Sequence, residues 1–104
     1  MNQDSQPIRI LIVDDHPVVR QGLRSLLTGH PDLAIVGEAE DGAEVLPFLS
    51  KHPIDVILLD IQMKQQNGIE VARRVRAAHP NIKIIVLTTY DDESLLRASH
   101  PPPC

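Results

Sequence analysis

With 104 residues, 42% of them hydrophobic but only 2% aromatic, the chain has room for one domain whose core must be built from Ile, Leu, Val and Ala. Ten Lys and Arg against fourteen Asp and Glu leave a formal net charge of -4, which excludes the basic footprint of a domain that binds nucleic acid or an anionic membrane by itself. The single cysteine, Cys104, excludes an internal disulfide and a cysteine-based zinc site, and no stretch has the apolar length of a signal or membrane-spanning segment, so a soluble cytoplasmic protein is expected.

The run from Ile8 to Val13 reads as a first strand and ends on adjacent carboxylates, Asp14 and Asp15. Pro17 fits the first turn of a helix in which Val19, Leu23, Leu26 and Leu27 recur at helical spacing, and Gly29, His30, Pro31 and Asp32 break it. Leu33 to Ala39 is a weaker strand. Asp41 is placed to cap a second helix with Val45, Leu46 and Leu49 on its apolar face, ended by Lys51, His52 and Pro53. The apolar run from Val56 closes on Asp60 and leaves through Ile61, Gln62 and Met63 for a polar loop. Periodicity alone allows either a strand buried on both faces or a buried helix segment, and length and flanks favour the strand.

After the loop from Gln62 to Gly68, a third helix is expected to carry Ile69, Ala72 and Val75 on its apolar side and Arg73, Arg74 and Arg76 on a solvated side. Pro80 and Asn81 then lead to a further buried strand, Ile82 to Leu87, and Thr88 to Asp92 opens a last helix. Leu95 to Ala98 barely continues that helix before the proline run of Ser99 to Cys104, so residues 1–98 are read as the domain and 99–104 as an atypical tail.

Alternating strands and helices predict an α/β fold with a parallel sheet covered on both faces. Right-handed crossovers then bring the carboxyl end of every strand to one edge, where open α/β sheets bind their ligands. Asp14, Asp15, Asp60 and Thr88 each follow a strand directly and meet there. Three gathered carboxylates call for a raised pKa or a bound cation, and an all-oxygen set with waters suits Mg²⁺. With Mg²⁺ held by Asp14, Asp15 and Asp60, one carboxylate, best Asp60 from the middle of the sheet, can attack a phosphoryl group in line, and Thr88 can donate a hydrogen bond to it.

Each of these residues also has a plain structural reading. Asp15 or His16 ahead of Pro17 can simply cap the helix, Thr88 can end a strand, and Asp60 can be a turn residue. The histidines His16, His30, His52, His79 and His100 are all followed by proline. A residue before proline leaves the helical region and histidine suits a helix end, so none is assigned a catalytic role. Gly37 and Gly42 do not form a nucleotide-binding glycine loop.

Three ordered motifs resemble a known family: Ile10 to His16; Ile57 to Met63 with Asn67-Gly68-Ile69-Glu70; and Val86 to Glu93. From about Ile8 to Ala98 the chain looks like the receiver domain of two-component response regulators, in the branch where a helix-turn-helix DNA-binding domain follows. The resemblance implies a flavodoxin-like doubly wound parallel sheet of order 2-1-3-4-5, with the fifth strand and last helix missing from this chain. It implies Asp60 as phosphoacceptor, Asp14 and Asp15 as the Mg²⁺-binding acidic pair, Gln62 as the donor of a main-chain carbonyl to the metal, and Thr88 as the switch hydroxyl.

The implied partner is a sensor histidine kinase, and the implied output is regulation such as transcription. Two departures stand out: Lys64-Gln65-Gln66 follows Met63 where the family commonly has proline, and the fifth strand would have carried a phosphate-contacting lysine and a switch aromatic. Impaired output, and a homodimer or strand-exchanged oligomer closing the exposed edge, are therefore expected. A receiver serving only as a protein-interaction module is the first alternative. A Mg²⁺-dependent aspartyl phosphohydrolase is the second, disfavoured because Gln62 stands where such enzymes place a second aspartate.

Overall fold

The computed structural model describes residues 6–61 and 68–87. Strand β1 (Ile8–Val13), helix α1 (Pro17–Thr28), strand β2 (Leu33–Ala39), helix α2 (Val45–Lys51), strand β3 (Val56–Asp60), helix α3 (Gly68–Ala78) and strand β4 (Lys83–Leu87) follow in that order. The four strands form one parallel sheet of order β2-β1-β3-β4, as an α/β chain of alternating elements requires. Among the described residues, no helix is long and apolar enough to cross a membrane.

Strand residues alternate between faces, and this parity divides the core. Leu11 and Val13 of β1, Ala39 of β2, and Ile57 and Leu59 of β3 share one face with Val45 and Leu49 of α2 and Val71 and Val75 of α3. Ile10 and Ile12 are buried as well but belong to the other face, and α1 adds nothing to the first cluster. Both faces of β1 are thus covered from Ile10 to Val13, which is why that part of the strand is legible as an apolar run.

Several local expectations shift. The apolar side of α3 is Gly68, Val71 and Val75, while Ile69 is 54% exposed. Strand β4 is not buried: Ile85 and Val86 are 44% and 49% exposed because, among the described residues, β4 pairs with β3 alone. Leu26 lies on the outer side of α1, 71% exposed, so the inner stripe of that helix is narrower than its sequence spacing indicates. Asp41 does cap, accepting from the Ala43 N–H at 2.9 Å, but the capped segment is a single 3₁₀ turn, Gly42–Glu44, that leads into α2. Pro47 sits in the first turn of α2, where a missing N–H costs nothing. Thr88, the last helix it opens, and the tail lie outside the described residues.

The pairing of β1 with β2 shifts by one residue, since Ile10 opposes Ile35 while Leu11 opposes Gly37, leaving Val36 extra. Such a bulge bends the strand and re-aims its end. Gly37 is needed there, because a Cβ would come within 2.6 and 2.8 Å of the Phe48 ring. Gly37→Ala should lower stability by about 1–3 kcal/mol through overpacking, and Phe48→Leu should return part of the loss. Urea unfolding of the two single variants and the double variant gives the coupling, and simple additivity would show that this contact is not the cause.

Helix α1 is held to β2 by Glu38, which accepts from Arg24 Nε at 2.6 Å and Arg20 Nε at 3.0 Å. The Arg24 hydrogen bond first, then that from Arg20, holds the Glu38 carboxyl below its ordinary value against the opposing effect of burial. A carboxyl lowered in the folded state contributes stability above its unfolded pKa and loses it as pH falls through the folded value. Glu38→Gln should therefore lower the urea midpoint at neutral pH and flatten its acid decline. Parallel curves for both proteins would remove this role.

Candidate functional site

The carboxyl edge of the sheet gathers the acids. Val13 pairs with Leu59, so the next residues, Asp14 and Asp60, leave adjacent parallel strands at the same level. Both are fully buried, and the Asp15 side chain is nearly so. The Asp14 N–H donates to the Ala39 carbonyl at 2.9 Å, fixing the end of β1 to the end of β2. Asp60 pairs with Leu87 of β4, the residue before Thr88. Thr88 and Gln62, both assigned roles from the sequence, lie outside the described residues.

His16 joins this cluster, although no catalytic role is assigned to it from the sequence. Its backbone is extended at the start of α1, and its side chain makes no capping hydrogen bond. The ring turns to the acids instead: Nδ1 stands 3.0 Å from Asp14 Oδ1, 3.0 Å from Asp15 Oδ1 and 3.8 Å from Asp60 Oδ2. Its own N–H donates to Asp14 Oδ1 at 2.8 Å. The imidazole is raised above its ordinary pKa, chiefly by the hydrogen bond to Asp14, with the charges of Asp15, Asp14 and Asp60 adding to it and burial opposing. The signal in the sequence was adjacency to the acidic pair, hidden because five histidines share the same proline neighbour. His52 follows the simple rule: it ends α2, donates its N–H to the Phe48 carbonyl, and stacks its ring on Phe48.

Arg20, one turn into α1, does not offset the acids. Its Nη1 donates to the Asp14 main-chain carbonyl and its Nε to Glu38, so its charge is directed to the helix–sheet contact. The half-exposed His16 imidazole lies in contact with Asp14 and Asp15. Among the described residues, Asp14 Oδ2 is buried and finds no hydrogen-bond donor. One ligand atom each from Asp14, Asp15, His16 and Asp60 lie within 4.8 Å of one another. An orphaned buried carboxylate oxygen in a compact set dominated by oxygen fits a divalent cation.

Gly68 starts α3 against the backbone at the end of β3. A Cβ on it would run into Ile61 Cα and come within 2.7 Å of the Asp60 carbonyl oxygen, and its N–H donates to the Ile61 carbonyl. Only glycine lets α3 begin this close to the end of β3.

Comparison with known proteins places this geometry among relatives. Residues 10–100 match the family described as the response regulator receiver domain. A Bacillus subtilis protein named as the uncharacterized transcriptional regulatory protein YxjL is 42% identical over 93 residues, which are 89% of this chain and 42% of that protein. The nitrate/nitrite response regulator protein NarP of Escherichia coli is 40% identical over 91 residues, 88% of this chain and 42% of its own length. The chain therefore spans less than half the length of these curated relatives. The solved signal receiver domain of NarL from Mycobacterium tuberculosis superposes with a TM-score of 0.74 at 32% identity, covering 88% of this chain and 74% of that one. The isolated receiver domain of RcsB from Salmonella enterica serovar Typhimurium, solved with the phosphomimetic BeF3-, gives 0.75 at 31% identity, covering 89% and 70%.

Carboxylates crowded at this edge repel, by an amount between about 1 kcal/mol for solvated charges at 4 Å and about 4 kcal/mol for partly buried ones. Asp60→Asn should accordingly raise stability by roughly 1 to 4 kcal/mol in chelator-treated buffer. Saturating Mg²⁺ should narrow the difference, because a cation bound to the folded state stabilises the wild type by mass action. Equal unfolding midpoints with chelator present would show that the acids are not in electrostatic conflict.

Proposed function

We propose, for a chain that belongs to the response regulator receiver family, that its acidic edge accepts a phosphoryl group on Asp60 from a phosphohistidine of a sensor histidine kinase. The observation that carries this reading is the placement of the buried Asp60 carboxylate within one small cluster with Asp14 and Asp15. An Asp60 oxygen attacks phosphorus, the nitrogen–phosphorus bond of the donor breaks, and its electron pair returns to the donor imidazole. The acyl phosphate formed is stored as signal.

Asp14, Asp15 and Asp60 would hold Mg²⁺, with the main-chain carbonyl of Gln62 as a fourth protein ligand. When bound, the cation neutralises phosphoryl oxygens that would otherwise be repelled by three carboxylates. Thr88, following the strand that pairs with Asp60, is proposed to donate its hydroxyl to a phosphoryl oxygen. Asp60 has no exposed surface, so transfer requires the groups over it to move. Pairing of two copies along the outer edge of β4 is the proposed homodimer.

The names of the relatives support an output in transcription: YxjL and NarP are a transcriptional regulatory protein and a response regulator. The net charge of -4 makes DNA contact by this stretch unfavourable, so the output belongs to a partner or a further domain. Incubation with Mg²⁺ and acetyl phosphate should add one phosphoryl mass to the wild type and none to Asp60→Asn, as read by intact-mass spectrometry. An Asp60→Asn protein labelled to the same extent would overturn the assignment.

A further inference from the structure

We infer that the imidazole of His16 is a direct ligand of the cation this site takes, which shifts its preference from Mg²⁺ toward borderline divalent ions such as Mn²⁺, Co²⁺ or Zn²⁺. The inference rests on the reading of the edge as a cation-dependent phosphoacceptor and adds the class of ion.

Geometry is the first support. His16 Nδ1 is 3.0 Å from one oxygen each of Asp14 and Asp15 and 3.8 Å from one of Asp60. Around an octahedral ion with bonds of about 2.1 Å, neighbouring ligands stand about 3.0 Å apart and opposite ones about 4.2 Å. The two separations of 3.0 Å match neighbouring positions, while the 3.8 Å to Asp60 lies between the two spacings, so an ion can replace the contacts after a small adjustment at Asp60. The second support is the Asp14 carboxylate. Its Oδ1 already accepts the His16 N–H, and the fully buried Oδ2 finds no donor among the described residues. His16, which precedes α1, does not spend its ring on capping that helix, so the ring's polar contacts are with the acids.

Chemistry sets the ion class. Carboxylates and waters suit Mg²⁺, whereas an imidazole nitrogen favours the later divalent ions. A coordinating His16 would also take one position otherwise filled by water.

The same distances describe an imidazolium that is merely ion-paired with the acids and leaves when any cation enters, and the two arrangements respond oppositely to substitution. The 104-residue chain, its His16→Asn and its His16→Gln variants are titrated calorimetrically with Co²⁺ and with Mg²⁺ in alkaline buffer, where the imidazole is neutral. Both variants should lose at least about tenfold in Co²⁺ affinity and clearly less in Mg²⁺ affinity. Proton NMR of the Co²⁺-loaded wild type should show a strongly shifted, solvent-exchangeable imidazole N–H signal that both variants lack. Affinities for the two ions that rise together, fall together or stay unchanged would overturn the inference, as would absence of that signal. Acetyl phosphate labelling of Asp60 with Mg²⁺ in the same variants separates the two readings: retained labelling without a Co²⁺ loss removes only the role of His16.

Discussion

The parallel register that sets Val13 opposite Leu59 is the constraint on which the site depends. It brings Asp14 and Asp60 out of adjacent strands at one level, although they are far apart in sequence. A one-residue slip would exchange the faces of β3 and carry Ile57 and Leu59 out of the cluster they share with α2 and α3. The apolar core therefore fixes the position of the charged edge. Leu11, Val13, Ile57 and Leu59 are all essentially inaccessible, so the penalty for a slip falls on the best-packed residues of the chain.

What the sequence reveals of this arrangement depends on how many neighbours decide each position. Strands β1 and β3 are largely covered on both faces, so apart from Arg9 and the terminal Asp60 their residues are apolar and their ends can be read to within a residue. Helix α3 is different. Ile69, Ala72 and Val75 satisfy helical spacing, but the close seat of Gly68 on Ile61 rotates the helix so that Val71 goes in and Ile69 comes out. Spacing alone cannot supply that rotation. The burial of β4 was overestimated because a run of Ile and Val looks the same beside one strand as between two. The extra residue Val36 leaves no mark in the sequence other than Gly37, whose need arises from Phe48 in a separate helix. Within the site, the acids were legible as residues directly after strands, whereas the turn of the His16 ring toward them was not, since it depends on atoms brought together by folding.

The distribution of positive charge is as telling as that of the acids. Arg20 lies close enough to bond the Asp14 main-chain carbonyl, yet Glu38 and that carbonyl engage its guanidinium. Arg9 is held by Asp55 at the opposite end of β1, through two side-chain hydrogen bonds of 3.0 Å. Both pairings join elements: the first fastens α1 to β2, the second ties β1 to the entry of β3. Neither arginine neutralises the acidic edge. A guanidinium placed there would form a bidentate pair and occupy the oxygens for good, whereas an imidazole at the rim can yield them.

This leaves an edge that folding by itself does not favour. Crowded carboxylates weaken the folded state, and well-packed apolar residues of the same size would be expected to strengthen it. The rest of the molecule offsets that cost through the apolar cluster that the sheet shares with α2 and α3 and through the glycine that lets α3 lie against the end of β3. A cation held by such an edge would interact differently with its crowded and relaxed arrangements, and its binding free energy would then be available to alter the structure around it. Asp14 and Asp60 are both fully buried there, and Asp60 is followed by Ile61, whose carbonyl accepts the N–H of the first residue of α3. A displacement of Asp60 would therefore be felt at the start of α3, through the hydrogen bond between the Gly68 N–H and the Ile61 carbonyl.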